Sequence, residues 1–288
     1  MYRYFSPNFD ELNKIIINAL AAEKDVFQSA QTVQTGWTNI TIDAHGKNKD
    51  YIFRFPRNSF FAQAMIKDCM VCQFLQDKIS LPIPKMRLLM DKNRPFSMHP
   101  KLAGEPLADK MEKLPLADQK KIAEDLAVFL CELQSIPLSK VPPMMKKNLN
   151  QFLIELAAVH NGNYDFNRHH MWGQIEQTSK LCLAHGDFHA GNVLIDANNK
   201  VSGIIDFAFT TVSNRHADIG RFVGRAGEHW TQILINAYQN RTQQQCDFSQ
   251  IQEMVKLFDY VDHKYVDYMR RAHPEIIIPK SLCTNSKE

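Results

Sequence analysis

Apolar side chains at Phe9, Leu12, Ile15, Ile16, Ala19 and Leu20 recur at the spacing of one helical face, behind Asn8-Phe9-Asp10-Glu11, which has the spacing of a capping box. From Val26 the rhythm shortens. Residues Val26–Val33, Thr38–Ala44 and Tyr51–Phe55 read as strands, with His45-Gly46-Lys47-Asn48 as the turn between the last two. Helical spacing returns over Asn58–Lys78 and stops at Leu81-Pro82-Ile83-Pro84, because proline offers no backbone N–H to continue a helix. Strands at Met86–Met90 and Arg94–Met98 complete a small antiparallel sheet that carries one helix.

Past His99-Pro100 the pattern is mainly helical. Leu116–Ile136 is a long amphipathic segment with Ile122, Leu126, Phe129, Leu130 and Leu133 in step. A further helix is expected over Leu149–Val159, followed by a polar loop at Asn161–Arg168. Three short strands follow at Leu181–Ala184, Val193–Ile195 and Val201–Ile205, and His216–His273 is helical again. The pattern predicts an α+β chain of two lobes with a cleft between them. The expected division is a sheet-rich lobe over residues 1–96, a hinge at 97–100 and a larger helical lobe over 101–288.

Composition narrows the function classes. The chain has 288 residues, a net charge of +3 and no run of five or six like charges, so nothing in it calls for nucleic acid. The first ten residues lack the apolar core of a secretory signal, and no apolar stretch is long enough to span a bilayer. Six scattered cysteines without a disulfide-like framework suit a reducing cytoplasm. Cys69-Met70-Val71-Cys72 has no second ligand pair and falls on a helix, so it reads as two buried thiols. A cytoplasmic monomer without a membrane partner is the expectation.

The informative stretch is His185-Gly186-Asp187-Phe188-His189-Ala190-Gly191-Asn192, with strands on both sides and a second carboxylate, Asp206, 14 residues beyond Asn192. Gly186 and Gly191 rule out a helix, so Asp187 and Asn192 sit on a loop between strands, and an antiparallel pair can bring Asp206 beside Asn192. The same glycines keep His185 and His189 off a common helical face, against a zinc site. His185 reads instead as a structural residue bonded to the loop backbone. Phosphoryl transfer needs such a set, because its catalysis is positioning plus neutralisation of charge on the phosphoryl oxygens. Magnesium takes hard oxygen ligands and keeps several waters, so Asn192 and Asp206 suit the metal. Asp187 suits the base that accepts the proton of an attacking hydroxyl.

His-Gly-Asp, four residues and Asn, followed by a strand ending Ile205-Asp206-Phe207, resembles the aminoglycoside phosphotransferase family, which is related to choline kinases and more distantly to protein kinases. The resemblance spans roughly residues 26 to 225 and is nearest the branch that phosphorylates the 2''-hydroxyl of aminoglycosides. It implies a two-lobed kinase-like fold with Mg2+ and ATP or GTP as phosphoryl donor. Tyr51–Arg57 is similar to the family's third strand, so Arg54 would grip the nucleotide phosphates, with Asp68 as its partner where the family usually has Glu. Gly36, in Thr35-Gly36-Trp37-Thr38-Asn39, occupies the place of the nucleotide-covering hairpin. Phe96–Leu107 is similar to the interlobe hinge, so the base would bond to backbone near Ser97 and His99. Asp218 matches a residue that holds the catalytic loop.

The resemblance further implies a small, hydroxylated, amine-bearing acceptor. Residues 181–288 carry 12 acidic and 11 basic side chains, an even balance for a polycation site. The local cluster expected to supply one is Asp259, Asp262 and Asp267. Two other classes stay open, a metabolic kinase for choline or a sugar and a nucleotide-sensing pseudokinase with a protein partner.

Overall fold

The computed structural model describes residues 8–33, 38–146 and 180–272. Helix α1 (Phe9–Ala22) starts where Asn8 accepts a hydrogen bond from the Glu11 N–H, as the capping spacing predicts. Strands β1 (Phe27–Val33), β2 (Asn39–Gly46) and β3 (Asp50–Pro56) lead to helix α2 (Ser59–Leu75), then β4 (Arg87–Asp91) and β5 (Arg94–Pro100). The five strands form one antiparallel sheet in the order β1-β2-β3-β5-β4. Successive strand side chains point to opposite faces. Tyr51, Phe53 and Phe55 therefore pack with Phe96, Met98 and the α1 residues Leu12, Ile16 and Leu20. Arg54, out of phase with them, is aimed at the other face, where α2 lies.

Helix α2, capped by Asn58, buries Cys69, Val71, Cys72 and Leu75 in the larger of two cores. The chain goes on through β6 (Glu105–Pro106), α3 (Leu116–Ser135), β7 (Leu181–Ala184), β8 (Val193–Ile195), β9 (Val201–Ile204), β10 (Thr211–Asn214), α4 (Ala217–Thr242) and α5 (Phe248–Ala272), and that core draws on α3, β7, β8, β9, α4 and α5. Phe129 of α3 lies at its centre, stacked on Phe188 at 5.5 Å and meeting Phe207 edge-on at 6.3 Å. Removing such a ring costs about 3–5 kcal/mol. The sheet-rich beginning and helical remainder match the expected α+β, two-lobed, kinase-like class.

Several boundaries differ from the expected ones. β2 runs to Gly46, so the turn falls after it rather than at 45–48. A side chain more than 20 residues away holds that turn, since Asp25 accepts from the N–H groups of Asn48 (3.0 Å) and Lys49 (3.2 Å). β5 continues through Pro100, two residues beyond the expected end of that strand, and the chain leaves the sheet at Lys101. β6 and β10 were not expected. Each is short and exists through long-range partners, β6 against β8 and β10 against β7. The helical stretch after 216 is two helices, and α4 is kinked at Gly227 (φ 76°). The helix expected at Leu149–Val159 and the loop at Asn161–Arg168 lie outside the described residues, as does Gly36. Among the described residues no helix is long and apolar enough to cross a membrane.

Candidate active site

The loop after β7 is fixed before any catalytic side chain is placed. Gly186 has φ +80°, and a Cβ there would sit 2.1 Å from the Phe209 carbonyl oxygen, so only glycine fits. The N–H groups of His185 and Gly186 donate to the Asp218 carboxylate at 2.8 and 2.9 Å. This is the loop-holding contact expected of Asp218. The fully buried His185 accepts the Asp187 N–H at Nδ1 (3.2 Å) and faces the Ile205 carbonyl with Nε2 (3.1 Å). Since Nδ1 accepts, Nε2 carries the proton. Burial pushes this imidazole down to about 4, so it is a neutral strut at physiological pH.

Asn192 closes the loop. Its side-chain nitrogen donates to the Asp187 carbonyl at 2.9 Å and lies 3.4 Å from Asp187 Oδ2, which leaves its oxygen as the atom available to a cation. The β8–β9 hairpin pairs Val193 with Ile204, and the Ile205 N–H donates to the Asn192 carbonyl at 3.0 Å. Asp206, the second residue beyond β9, is thereby brought beside Asn192, as the spacing predicts. Its backbone is left-handed (φ +66°), a conformation that costs a non-glycine residue about 1–3 kcal/mol. Burial, with Asp68 and Asp187 nearby, pushes its carboxyl up to about 6 against the pull of Arg54. Magnesium bound with nucleotide phosphates needs only one or two protein carboxylates. One amide oxygen and one carboxylate fit that requirement, and among the described residues no cluster of three or more His, Cys, Asp or Glu offers a metal site of another kind.

Arg54 pairs with Asp68, the acid expected for it, and Asp68 is fully buried. The other Asp68 oxygen accepts the Phe207 N–H at 3.0 Å, which ties α2 to the segment carrying Asp206. Ser97 lies directly opposite Arg54 in the sheet and shares its face, fully buried. His99, two residues on, is buried with Nδ1 against the Pro100 carbonyl at 2.9 Å. His189 accepts the Gly191 N–H at Nδ1 (3.0 Å), and its Nε2 stands 3.6 Å from Asp187 Oδ2. Burial pushes the Cys69 thiol up to about 11 and holds Cys72 well above its ordinary value, so neither is a nucleophile.

One functional neighbour went unread in the sequence. Arg221 of α4 donates from Nε (2.9 Å) and Nη2 (2.6 Å) to Asp187 Oδ1, and from Nη1 to Asp262 at 2.7 Å. Arg225, one turn on, donates to the same Asp262 oxygen at 2.6 Å. Burial alone would raise Asp187, but Arg221 and His189 hold it well below the usual carboxylate range. The expected acidic cluster is corrected accordingly. Asp262 is neutralised by two guanidinium groups, Asp259 is exposed near His263, and the Asp267 side chain lies outside the described residues. Asp218 pins the start of α4 under the loop, and Arg221 is the next residue on the same helical face.

Similarities to known proteins bear on this geometry. The family model described as the phosphotransferase enzyme family matches residues 29–249. Among solved structures, the GDP and kanamycin complex of APH(2")-IIia is similar with a TM-score of 0.72 at 21% identity, over 92% of this chain and 94% of that one. The GDP complex of wild-type aminoglycoside 2'-phosphotransferase-IIIa gives 0.73 at 21% identity, covering 91% and 93%. The apoenzyme of macrolide 2'-phosphotransferase MphH from Brachybacterium faecium gives 0.67 at 12% identity, covering 90% and 93%.

Proposed function

The chain belongs to the phosphotransferase enzyme family, and from that premise we propose that it moves the γ-phosphoryl group of ATP or GTP onto a hydroxyl of a small molecule. The observation that carries this reading is the convergence of Asp187, Asn192 and Asp206 on one loop and hairpin, with Arg54 tied to the same segment through Asp68. Asp187 accepts the hydroxyl proton. Asn192 and Asp206 hold Mg2+, which when bound neutralises charge on the phosphate oxygens. Arg54 grips the phosphates, and strand backbone near Ser97 and His99 receives the base. The free thiols among the described residues support a reducing compartment such as the cytoplasm.

For the acceptor, the similarity to a kanamycin complex supports an amine-bearing, aminoglycoside-like molecule. A second reading, an uncharged sugar-type hydroxyl acceptor, is favoured by Arg221 and Arg225, which neutralise Asp262 beside the base. A coupled nucleotide-consumption assay at two salt concentrations, across kanamycin, gentamicin, a macrolide, choline and simple sugars, separates them. Salt-sensitive turnover of an aminoglycoside supports the first reading, because screened attraction between exposed charges weakens with ionic strength. Turnover of a neutral acceptor alone supports the second. Nucleotide binding without turnover of any acceptor overturns both.

A further inference from the structure

The two oxygens of the Asp187 carboxylate are held unequally. A guanidinium commonly meets a carboxylate as a fork, one N–H to each oxygen. Here both prongs of Arg221, Nε and Nη2, fall on Oδ1. Oδ2 is left with a long contact to Asn192 (3.4 Å) and His189 Nε2 at 3.6 Å. Arg221 has little freedom of its own. Its side chain is only 8% exposed, its third nitrogen is fixed by Asp262, and its guanidinium lies 5.1 Å over the Phe258 ring. The backbone of the loop needs none of this, because Asp218, His185 and Asn192 already hold it. The contact with Arg221 acts on the Asp187 side chain alone.

Building on the phosphotransferase reading, we propose that Arg221 is a positioning residue that selects Oδ2 of Asp187 as the oxygen offered to the acceptor, with Asp262 and Arg225 holding Arg221 in that pose. As the acceptor oxygen bonds to the γ-phosphorus and the bond to the nucleoside diphosphate breaks, the hydroxyl proton passes to Oδ2. A carboxylate free to rotate about its side-chain bonds would present either oxygen, in many poses. Small misplacements of a reacting group cost turnover far more than binding.

The test has a kinetic arm and a structural arm. Arg221→Gln should lower kcat about 10- to 100-fold, with the nucleotide KM and the thermal shift given by Mg-ATP within about twofold of wild type. Arg221→Lys, a single prong, should recover part of the loss. Asp262→Asn, at a carboxylate that is partly exposed, should give a smaller loss of the same kind and carries the test if Arg221→Gln folds poorly. Wild-type kcat in both Arg221→Gln and Asp262→Asn overturns the proposal, as does a parallel loss of nucleotide affinity, stability and kcat. Crystal structures of wild type and the two variants read the Asp187 rotamer without any acceptor. A reoriented carboxylate in the variants supports the positioning role. An unchanged one overturns it, while failure of the wild type to turn over any acceptor counts against the phosphotransferase reading alone.

Discussion

Two guanidinium–carboxylate contacts flank the candidate site, one on Asp187 and one on the segment that carries Asp206, and they differ in what the second carboxylate oxygen does. At Arg54–Asp68 it is closed, because the Asp68 oxygen not facing Arg54 accepts the Phe207 N–H. At Arg221–Asp187 both prongs take one oxygen, and the other makes only long contacts. The same chemistry yields a clamp in the first case and, on our reading, a reactive group in the second. A closed pair contributes to stability and geometry. An open pair keeps a lone pair for a substrate.

The sharpest way to break this contrast is at the open pair. Asp187→Asn removes the proton acceptor but keeps the shape, so turnover should fall about 10²–10⁴-fold while nucleotide affinity stays near that of wild type. Isothermal titration with Mg-ATP and an acceptor-dependent rate measure both. Full turnover in this variant would mean that Asp187 is a second clamp, and the contrast would vanish. Asp206→Ala should fail in the complementary way, weakening Mg-nucleotide binding first.

At the closed pair the expected effect is on the fold. Asp68→Ala leaves a largely buried guanidinium without its carboxylate and the Phe207 N–H without its acceptor, which should cost about 3–5 kcal/mol in urea denaturation. Asp262→Asn, which loosens the open pair at a partly exposed site, should cost under about 1 kcal/mol. Equal costs at the two positions would show that the pairs are alike in kind. Arg54→Lys should rescue little of an Arg54→Ala defect in nucleotide KM and kcat, because the shorter arm no longer reaches a short acid.

What could be read in advance follows the same division. Arg54 and Asp68 are 14 residues apart on a strand and the helix that follows, so local periodicity places them face to face. Asp187, Asn192 and Asp206 are likewise joined by two adjacent strands whose pairing is the natural one. Arg221 lies 34 residues beyond Asp187, and Asp262 lies 41 beyond Arg221 on a second helix, so the approach depends on how α4 and α5 pack. Spacing carries no record of that packing. For the same reason Asp262 read as a free acid, the turn after β2 was misplaced without Asp25, and β6 and β10 were missed. The end of β5 was missed for a subtler cause: His99 and Pro100 have no strand signature of their own and are drawn into β5 by pairing with β3.

A pH dependence tests the strut between the two sites. His185 touches the Asp187 N–H on one side and the carbonyl of Ile205, next to Asp206, on the other. Its folded pKa, pushed down by burial to about 4, lies below the ordinary histidine value. The unfolded chain therefore binds a proton that the folded chain refuses between roughly pH 6.5 and 4. The stability in question is fully present above that window and is lost as pH falls through it, by about 2 kcal/mol between pH 7 and 5. Asp206 and Asp218, both pushed up to about 6 by burial, act in the opposite sense, since their protonation relieves the fold over much of the same range. The wild-type slope thus mixes two signs, and the difference between wild type and His185→Gln isolates the histidine. Glutamine keeps a donor for Ile205 and cannot titrate, so its urea midpoint should fall less between pH 7 and 5 than that of wild type. Identical pH dependence in the two proteins would mean that His185 protonates as readily in the fold as in the open chain. The two sites would then be joined by the backbone alone.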